Sequence, residues 1–261
     1  MERITVKGLN VRETEIGESD KLITLVTEEY GLLSVNAKGV RSLKSKNMVA
    51  CQPFSYSTYV LRRSKKYFYV EETELIECFF DLRADLDKLS LAAYICDVCC
   101  DVSVENQPDC ELLQLTLNTL YAISYKDWPL RKIKAAFEFR CAAVCGFCPD
   151  LSLCDRCGCD PNGDVYLDVM NGRLLCRDCK PLTEREEMLE DNGTARLYFL
   201  LSPAVLSAMR YIVDSPGRKF LSFRLDDEDE LNLLCRYTES YLINHLEHGF
   251  KTLEFYKSIL L

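Results

Sequence analysis

The sequence predicts a multi-domain α+β chain: a small N-terminal β-barrel, then an all-helical domain with a zinc ribbon embedded in it. Three observations predict this. Five short β-rich runs fall within residues 1–80, and after Asp81 the apolar period lengthens to helical steps of three and four. Two Cys-x-x-Cys pairs, Cys154/Cys157 and Cys176/Cys179, stand with 18 residues between the inner cysteines. The expected bounds are 1–80 for the barrel, 81–261 for the helical domain and 150–182 for the ribbon.

The strands are read in order as Ile4 to Val11, Lys21 to Thr27, Leu32 to Ala37, Phe54 to Leu61 and Tyr67 to Ile76. Tyr30-Gly31 turns the chain between the second and third. Lys38 to Asn47, rich in Lys, Ser and Gly, reads as a loop, and Arg62 to Lys66 as the last hairpin. Five such strands predict a closed barrel of the oligonucleotide-binding (OB) type, with a small SH3-like barrel as the rival that periodicity does not separate.

Leu82, Leu86, Leu89, Ala93, Cys96 and Cys100 form the stripe of a first amphipathic helix, and Leu113, Leu117 and Leu120 mark a second. Asp127-Trp128-Pro129 opens a third, carrying Ile133, Phe137, Cys141 and Val144. Beyond the ribbon, Ser202-Pro203 reads as a cap followed by a first-turn proline. The acidic run Asp226 to Glu230 opens the last long helix, where negative charge suits the helix dipole.

With 261 residues, 48% of them hydrophobic and few Gly or Pro, the chain has material for real cores and is not disordered or collagen-like. The longest apolar stretch, Leu89 to Val104, is interrupted by Asp97 and Asp101 and is too short to span a bilayer. Met1-Glu2-Arg3-Ile4 opens no apolar signal segment, so the expected location is the cytoplasm. There, 15 cysteines point to metal ligands or small buried residues rather than to disulfides.

Two residues between cysteines let one tight turn aim both sulfurs at one ion, and Gly158 permits the backbone twist. Asp164 to Val169 alternates toward strand, and Asn171-Gly172 signals a hairpin that returns the second pair to the first. Cys154, Cys157, Cys176 and Cys179 are therefore the expected ligands of a structural Zn2+, with an iron–sulfur cluster as the alternative. Cys145, Cys148 and Cys159 compete as extra thiols. Cys96, Cys100, Cys141 and Cys145 fall on apolar stripes and read as buried and unligated.

The net charge is −9, yet no acidic residue lies between Glu29 and Glu71. That window holds Lys38, Arg41, Lys44, Lys46, Arg62, Arg63, Lys65 and Lys66, the expected DNA-binding residues. Phe54, Tyr56, Tyr59, Tyr67, Phe68 and Tyr69 lie beside them, either as stacking platforms or as barrel filling. Arg131, Lys132 and Lys134 are weaker candidates for the same basic surface. Phosphate-binding and dinucleotide-binding glycine loops are absent, and the two histidines, His245 and His248, close one helix, so no catalytic residues are assigned. The competing readings are an adaptor that binds no nucleic acid, a zinc enzyme, and a thiol–disulfide enzyme using Cys145/Cys148.

The chain resembles the bacterial recombination mediator family RecO. The resemblance is carried by Gly17-Glu-Ser-Asp-Lys-Leu-Ile-Thr-Leu-Val-Thr-Glu-Glu-Tyr-Gly31, Ala37-Lys-Gly-Val-Arg41, Gln52-Pro-Phe54, Leu82-Arg83 with Leu86, Gly146 to Pro149 running into Cys154-Asp-Arg-Cys-Gly158, Gly172-Arg-Leu-Leu-Cys176 and His245 to Lys251. It covers nearly the whole chain, although Lys251-Thr252 stands where the family often has Lys-Ser. What it implies is an OB barrel, a helical domain and a ribbon in a nonenzymatic, nucleoid-associated protein. Such a protein binds single- and double-stranded DNA and anneals complementary strands. With RecR it helps load RecA onto DNA coated by single-strand-binding protein, whose C-terminal tail it also binds. By position, Lys38 and Arg41 match the basic barrel loop, and the four cysteines match the ribbon ligands.

Overall fold

The computed structural model describes residues 2–161, 163–190 and 197–260. Its first strand, β1 (Glu2–Ile16), is long enough to serve two neighbours. Residues 2–9 pair antiparallel with β4 (Tyr56–Ser64), and residues 8–16 pair antiparallel with β2 (Asp20–Thr27). An irregularity between Asn10 and Arg12 makes the switch possible. There Asn10, opposite Leu25 of β2, donates its N–H to the Ser55 carbonyl and accepts from the Phe54 N–H at 2.9 Å each. β3 (Gly31–Ala37) follows β2, and β5 (Tyr67–Glu77) lies between β3 and β4. The order β1-β2-β3-β5-β4 closes on itself, with β3 and β5 parallel and the other pairs antiparallel. That is an OB-like five-stranded barrel.

Alternation decides what fills it. Val6, Ile23, Leu25, Leu33, Val35, Tyr59 and Leu61 point inward and are buried. The loop after β3 seals one end with Val40 and Cys51. Gly31 sits at φ +63°, where a Cβ would lie 2.3 Å from the Val104 carbonyl, so only glycine fits this turn.

Helices form where the stripes predict them, but the expected first stripe holds only in part: Cys96 and Cys100 are buried, Leu89 and Ala93 are half-buried, Leu86 is exposed and Leu82 lies in the turn before the helix, because this helix is covered on most of its faces. Asp85 caps α1 (Leu86–Val102), accepting from the N–H groups of Asp87 and Lys88, and Asp109 caps α2 (Cys110–Tyr125). α3 (Leu130–Ala142) begins directly after Pro129 and runs into a wide turn at 143–147, where Gly146 takes φ +86°. Ser202 caps α5 (Pro203–Asp214), with Pro203 in its first turn. α6 (Glu228–Leu246) opens in the acidic run as expected, and Asp227 caps it.

Several elements go beyond the sequence reading, among them α4 (Cys179–Glu190), a strand β9 (Tyr198–Leu201), and α7 (Lys251–Ile259), which follows the helix expected to be the last long one. The chain divides into two compact units, 1–130 with 250–261, and 131–249. In the first, α7 packs on α1, and Asp97 of α1 accepts from Arg12 of β1 at 2.6 Å and from Thr252 of α7 at 2.9 Å. In the second, the sheet order is β6-β8-β7-β9, with β6 (Asp150–Cys154), β7 (Val165–Asp168) and β8 (Arg173–Cys176). Among the described residues, no helix is long and apolar enough to cross a membrane.

Candidate nucleic-acid interface and metal centre

The outer face of the barrel is set by strand register. Leu22 pairs with Asn36, Asn36 with Tyr69, Tyr69 with Arg62, and Arg62 with Arg3, so one row crosses five strands. Tyr69 is its centre. The Lys38 ammonium lies 5.2 Å from the ring centroid and the Arg62 guanidinium 4.9 Å, within cation–π range. Two stretches 24 positions apart thus share one ring. Beside them, Arg63 lies over Phe68 at 5.8 Å and Lys66 over the exposed Tyr67 at 5.5 Å. Lys38 is placed by its neighbour: the Gly39 N–H donates to Asp20 at 2.8 Å. That bond, with one from Ser19, holds the Asp20 carboxyl below its usual range.

The eight cations divide into two groups. Arg41 pairs with Glu15 at 3.0 Å, Arg62 with Glu71 at 3.2 Å, and Arg63 with Glu2 at 3.5 Å. Lys38, Lys44, Lys46, Lys65 and Lys66 are exposed and make no ion pair within 4 Å among the described residues, although the charge of Lys38 helps lower the Asp20 carboxyl. Arg62 and Arg63 lie on β4 itself rather than in a loop, because the turn is only Lys65-Lys66, with Ser64 opposite Tyr67. Lys65 takes φ +56° at its tip. Of the neighbouring aromatics, Tyr59 is fully buried in the barrel, Phe54 is nearly so, and Phe68 packs against the core. Tyr56 donates to Glu28. Tyr67 and Tyr69 are the rings that face outward.

The weaker basic candidates are not a surface. Lys134 is buried between Glu138 and Glu239, Arg131 pairs with Glu228, and Lys132 lies over Phe223 at 4.7 Å. Sequence reading placed Lys134 outside because its partner Glu239 is 105 positions away.

The four cysteines come together. The sulfurs of Cys154, Cys157, Cys176 and Cys179 all lie within 4.8 Å of one another, and Cys157 is 3.9 Å from Cys176. A tetrahedral shell with metal–sulfur bonds of about 2.3 Å has edges of about 3.8 Å. Local structure builds this cluster. β6 ends at Cys154, a tight turn follows with Gly158 at φ +69°, and the Gly158 N–H closes on the Cys154 carbonyl at 2.8 Å. The β7–β8 hairpin brings back Cys176, and Cys179 opens α4. Asp168, fully buried, accepts from Asn171 and Arg173 and pins that hairpin.

Electrostatics favour the thiolate at two of the four cysteines, Cys154 and Cys157, while a hydrogen bond with the Cys176 thiol and burial raise Cys179. The Cys154 thiol lies below its usual value: burial raises it, but the N–H groups of Cys176, Cys157 and Arg156 donate to the sulfur and outweigh that. The Cys157 thiol is pulled down to about 6, first by the Cys159 N–H and then by neighbouring thiols. Backbone donors aimed at sulfur favour thiolates, the form that binds metal. Four sulfurs fill a tetrahedron, so a metal held by them is closed to water.

Of the other cysteines, Cys96, Cys99, Cys100 and Cys141 are buried, Cys145 is half-buried, and Cys148 and Cys159 are exposed. Burial pushes Cys99 up to about 12 and raises Cys96 well above its ordinary value, which suits inert core thiols.

Fold and sites together define a class: proteins with an N-terminal OB-like barrel and a helical part that carries a four-cysteine ribbon. Comparison with known families gives the family. Residues 1–79 match the family described as "Recombination protein O N terminal", and residues 83–254 match "Recombination protein O C terminal". A protein named DNA repair protein RecO from Acetivibrio thermocellus is 32% identical over 259 residues, 99% of this chain and 98% of that one. One of the same name from Caldanaerobacter subterraneus is 27% identical, over 98% of each chain. Another, from Alkaliphilus metalliredigens, is 32% identical over 67% of this chain and 72% of its own. The chain belongs to the RecO family of DNA repair proteins.

Proposed function

We propose that this chain is a nonenzymatic recombination mediator that binds single- and double-stranded DNA on its barrel and anneals complementary strands. The reading rests on membership of the RecO family together with one observation, the Lys38–Tyr69–Arg62 stack. An aromatic ring flanked by cations from two stretches offers a base a π-face and a phosphate two partners. Exposed Lys44, Lys46, Lys65 and Lys66 extend the charge to either side. Neutralising phosphates on two strands lowers their repulsion and favours annealing. Family resemblance supports RecR, RecA loading and the acidic tail of single-strand-binding protein as the partners.

In the same reading, Cys154, Cys157, Cys176 and Cys179 hold a structural Zn2+. Its chemistry is to lock β6, the β7–β8 hairpin and the start of α4 onto one centre. Cobalt substitution tests it: four sulfur ligands support the ribbon, and a bound water overturns it.

The ion pairs of Arg41, Arg62 and Arg63 favour a second reading, an adaptor whose barrel charges are internally neutralised. One experiment separates the two. Single-strand binding and annealing, with bare strands and with strands coated by single-strand-binding protein, are measured for the wild type and a Lys44→Glu/Lys46→Glu/Arg62→Glu/Arg63→Glu variant. Unchanged single-strand binding at low salt would sink the barrel assignment.

A further inference from the structure

We infer that Cys157 and Cys159 form a peroxide-sensitive thiol pair at the exposed edge of the metal centre, so that oxidation converts them to a disulfide and releases the metal. This rests on the zinc reading above and goes beyond it, because that reading gives Cys159 no task.

The centre has two unlike halves. Cys154 and Cys179 are buried, Cys176 is half-buried and Cys157 is exposed. A fifth thiol stands on the open side. The Cys159 sulfur lies 3.2 Å from that of Cys157 and also neighbours Cys176. It is held there by the backbone, since the Cys154 N–H donates to the Cys159 carbonyl at 2.9 Å and the Cys159 N–H faces the Cys157 sulfur. Between them, Gly158 at φ +69° has open space around it, and a residue without a Cβ gives the backbone the freedom a Cys-Gly-Cys ring needs. Cys145 and Cys148 do not join the four-sulfur cluster.

A hydroperoxide supplies the two-electron oxidant. The Cys157 thiolate attacks one peroxide oxygen, the O–O bond breaks, and the departing alkoxide or hydroxide takes a proton and leaves as alcohol or water. Cys157 is then a sulfenic acid. The Cys159 thiol attacks that sulfur and gives up its proton, the S–O bond breaks, and the departing hydroxide takes that proton and leaves as water. In sum, two thiols and one hydroperoxide give one disulfide, one alcohol or water, and one further water. Losing Cys157 leaves Cys154, Cys176 and Cys179 with three of the four donors of a closed shell. A dithiol reductant restores the pair by exchange.

The test uses the full chain as purified, with metal content measured first. Hydrogen peroxide is added, zinc release is followed with a chromogenic chelator, and tryptic peptides are mapped by mass. Expected in the wild type are zinc loss, a Cys157–Cys159 disulfide within one peptide, and full zinc rebinding after dithiol treatment. In Cys159→Ser, expected at an exposed position to fold normally, no such disulfide forms. There Cys157 gains the mass of two oxygens, and dithiol does not restore zinc binding. Equal reversible release from wild type and Cys159→Ser overturns the inference, as does a wild-type disulfide mapped to other cysteines. Absence of metal before peroxide overturns the zinc reading instead, while the mass map still decides whether Cys157 and Cys159 pair.

Discussion

Lys134 on α3 places its ammonium 2.7 Å from a carboxylate oxygen of Glu239 on α6 and 2.8 Å from Glu138 one turn along its own helix. Lys134 is 4% exposed and Glu138 fully buried, and Thr238 donates to Glu138 at 3.0 Å. Burial alone pushes the lysine's pKa down, but the two carboxylates outweigh it and raise it above the ordinary value. Its contribution to stability is therefore present below the unfolded lysine's pKa and is lost as pH rises through the folded one. Removing one partner leaves buried charge uncompensated, so Lys134→Ala is expected to cost about 3–5 kcal/mol. Urea unfolding checks this, and a loss under 1 kcal/mol would show that the cluster is more hydrated than its burial indicates.

Tyr69→Ala removes the ring shared by Lys38 and Arg62. Single-strand affinity should fall by roughly 1–3 kcal/mol, the range for one stacked base. Lys44→Glu should instead weaken binding to all sequences alike and flatten its salt dependence. Fluorescence anisotropy over a salt series reads both. A Tyr69→Ala loss that flattens the salt dependence as Lys44→Glu does would argue against a stacking role for Tyr69.

Metal removal should act on the unit spanning 131–249. A chelator is expected to lower the melting temperature, and Cys154→Ser, which deletes a buried ligand, should abolish metal binding and mimic the chelator. DNA affinity measured below the lowered melting point should hold. A parallel collapse of DNA binding in the still-folded protein would place part of the interface on the ribbon.

His245 stacks on Phe147 with centroids 5.2 Å apart and leans on Tyr241 at 4.3 Å. Burial lowers its pKa, with a smaller opposing effect from a backbone hydrogen bond to Val169. The folded state thus takes up its proton at lower pH than the unfolded chain. Stability from this group is complete above the unfolded value of about 6.5 and is lost as pH falls toward the folded one. His245→Phe should flatten that decline between about pH 7 and pH 5. An unchanged slope of unfolding free energy against pH would assign it to other groups.

Gly31→Ala should destabilise far more than Gly39→Ala. Both glycines have positive φ, +63° and +64°, so both substitutions carry a left-handed penalty of about 1–2 kcal/mol. Only at Gly31 would the new Cβ meet backbone oxygens, those of Val104 at 2.3 Å and Gln107 at 2.4 Å, whereas Gly39 has open space. Comparable melting temperatures for the two variants would contradict that close approach.

Local pattern alone determined a large part of this protein. Alternation wrote the five barrel strands, because a strand's buried face repeats every second residue. Steps of three and four wrote α1, α2, α3, α5 and α6, Ser202 announced the cap of α5, and the acidic run Asp226 to Glu230 announced the start of α6. The spacing of Cys154, Cys157, Cys176 and Cys179 around a hairpin signal was legible for the same reason, since a short turn acts over a few residues. Tertiary structure decided what meets across the chain. Parallel pairing of β3 with β5 sets Asn36 opposite Tyr69, and the antiparallel register sets Tyr69 opposite Arg62. Lys38 and Arg62 share a ring only because of that closure. Long-range folding also supplied Glu15, Glu71 and Glu2 as partners for arginines in a window without acidic residues, and it placed Lys134 in a core. Period and spacing report which face of an element is buried; which elements then face one another depends on contacts between distant residues, which no local window contains.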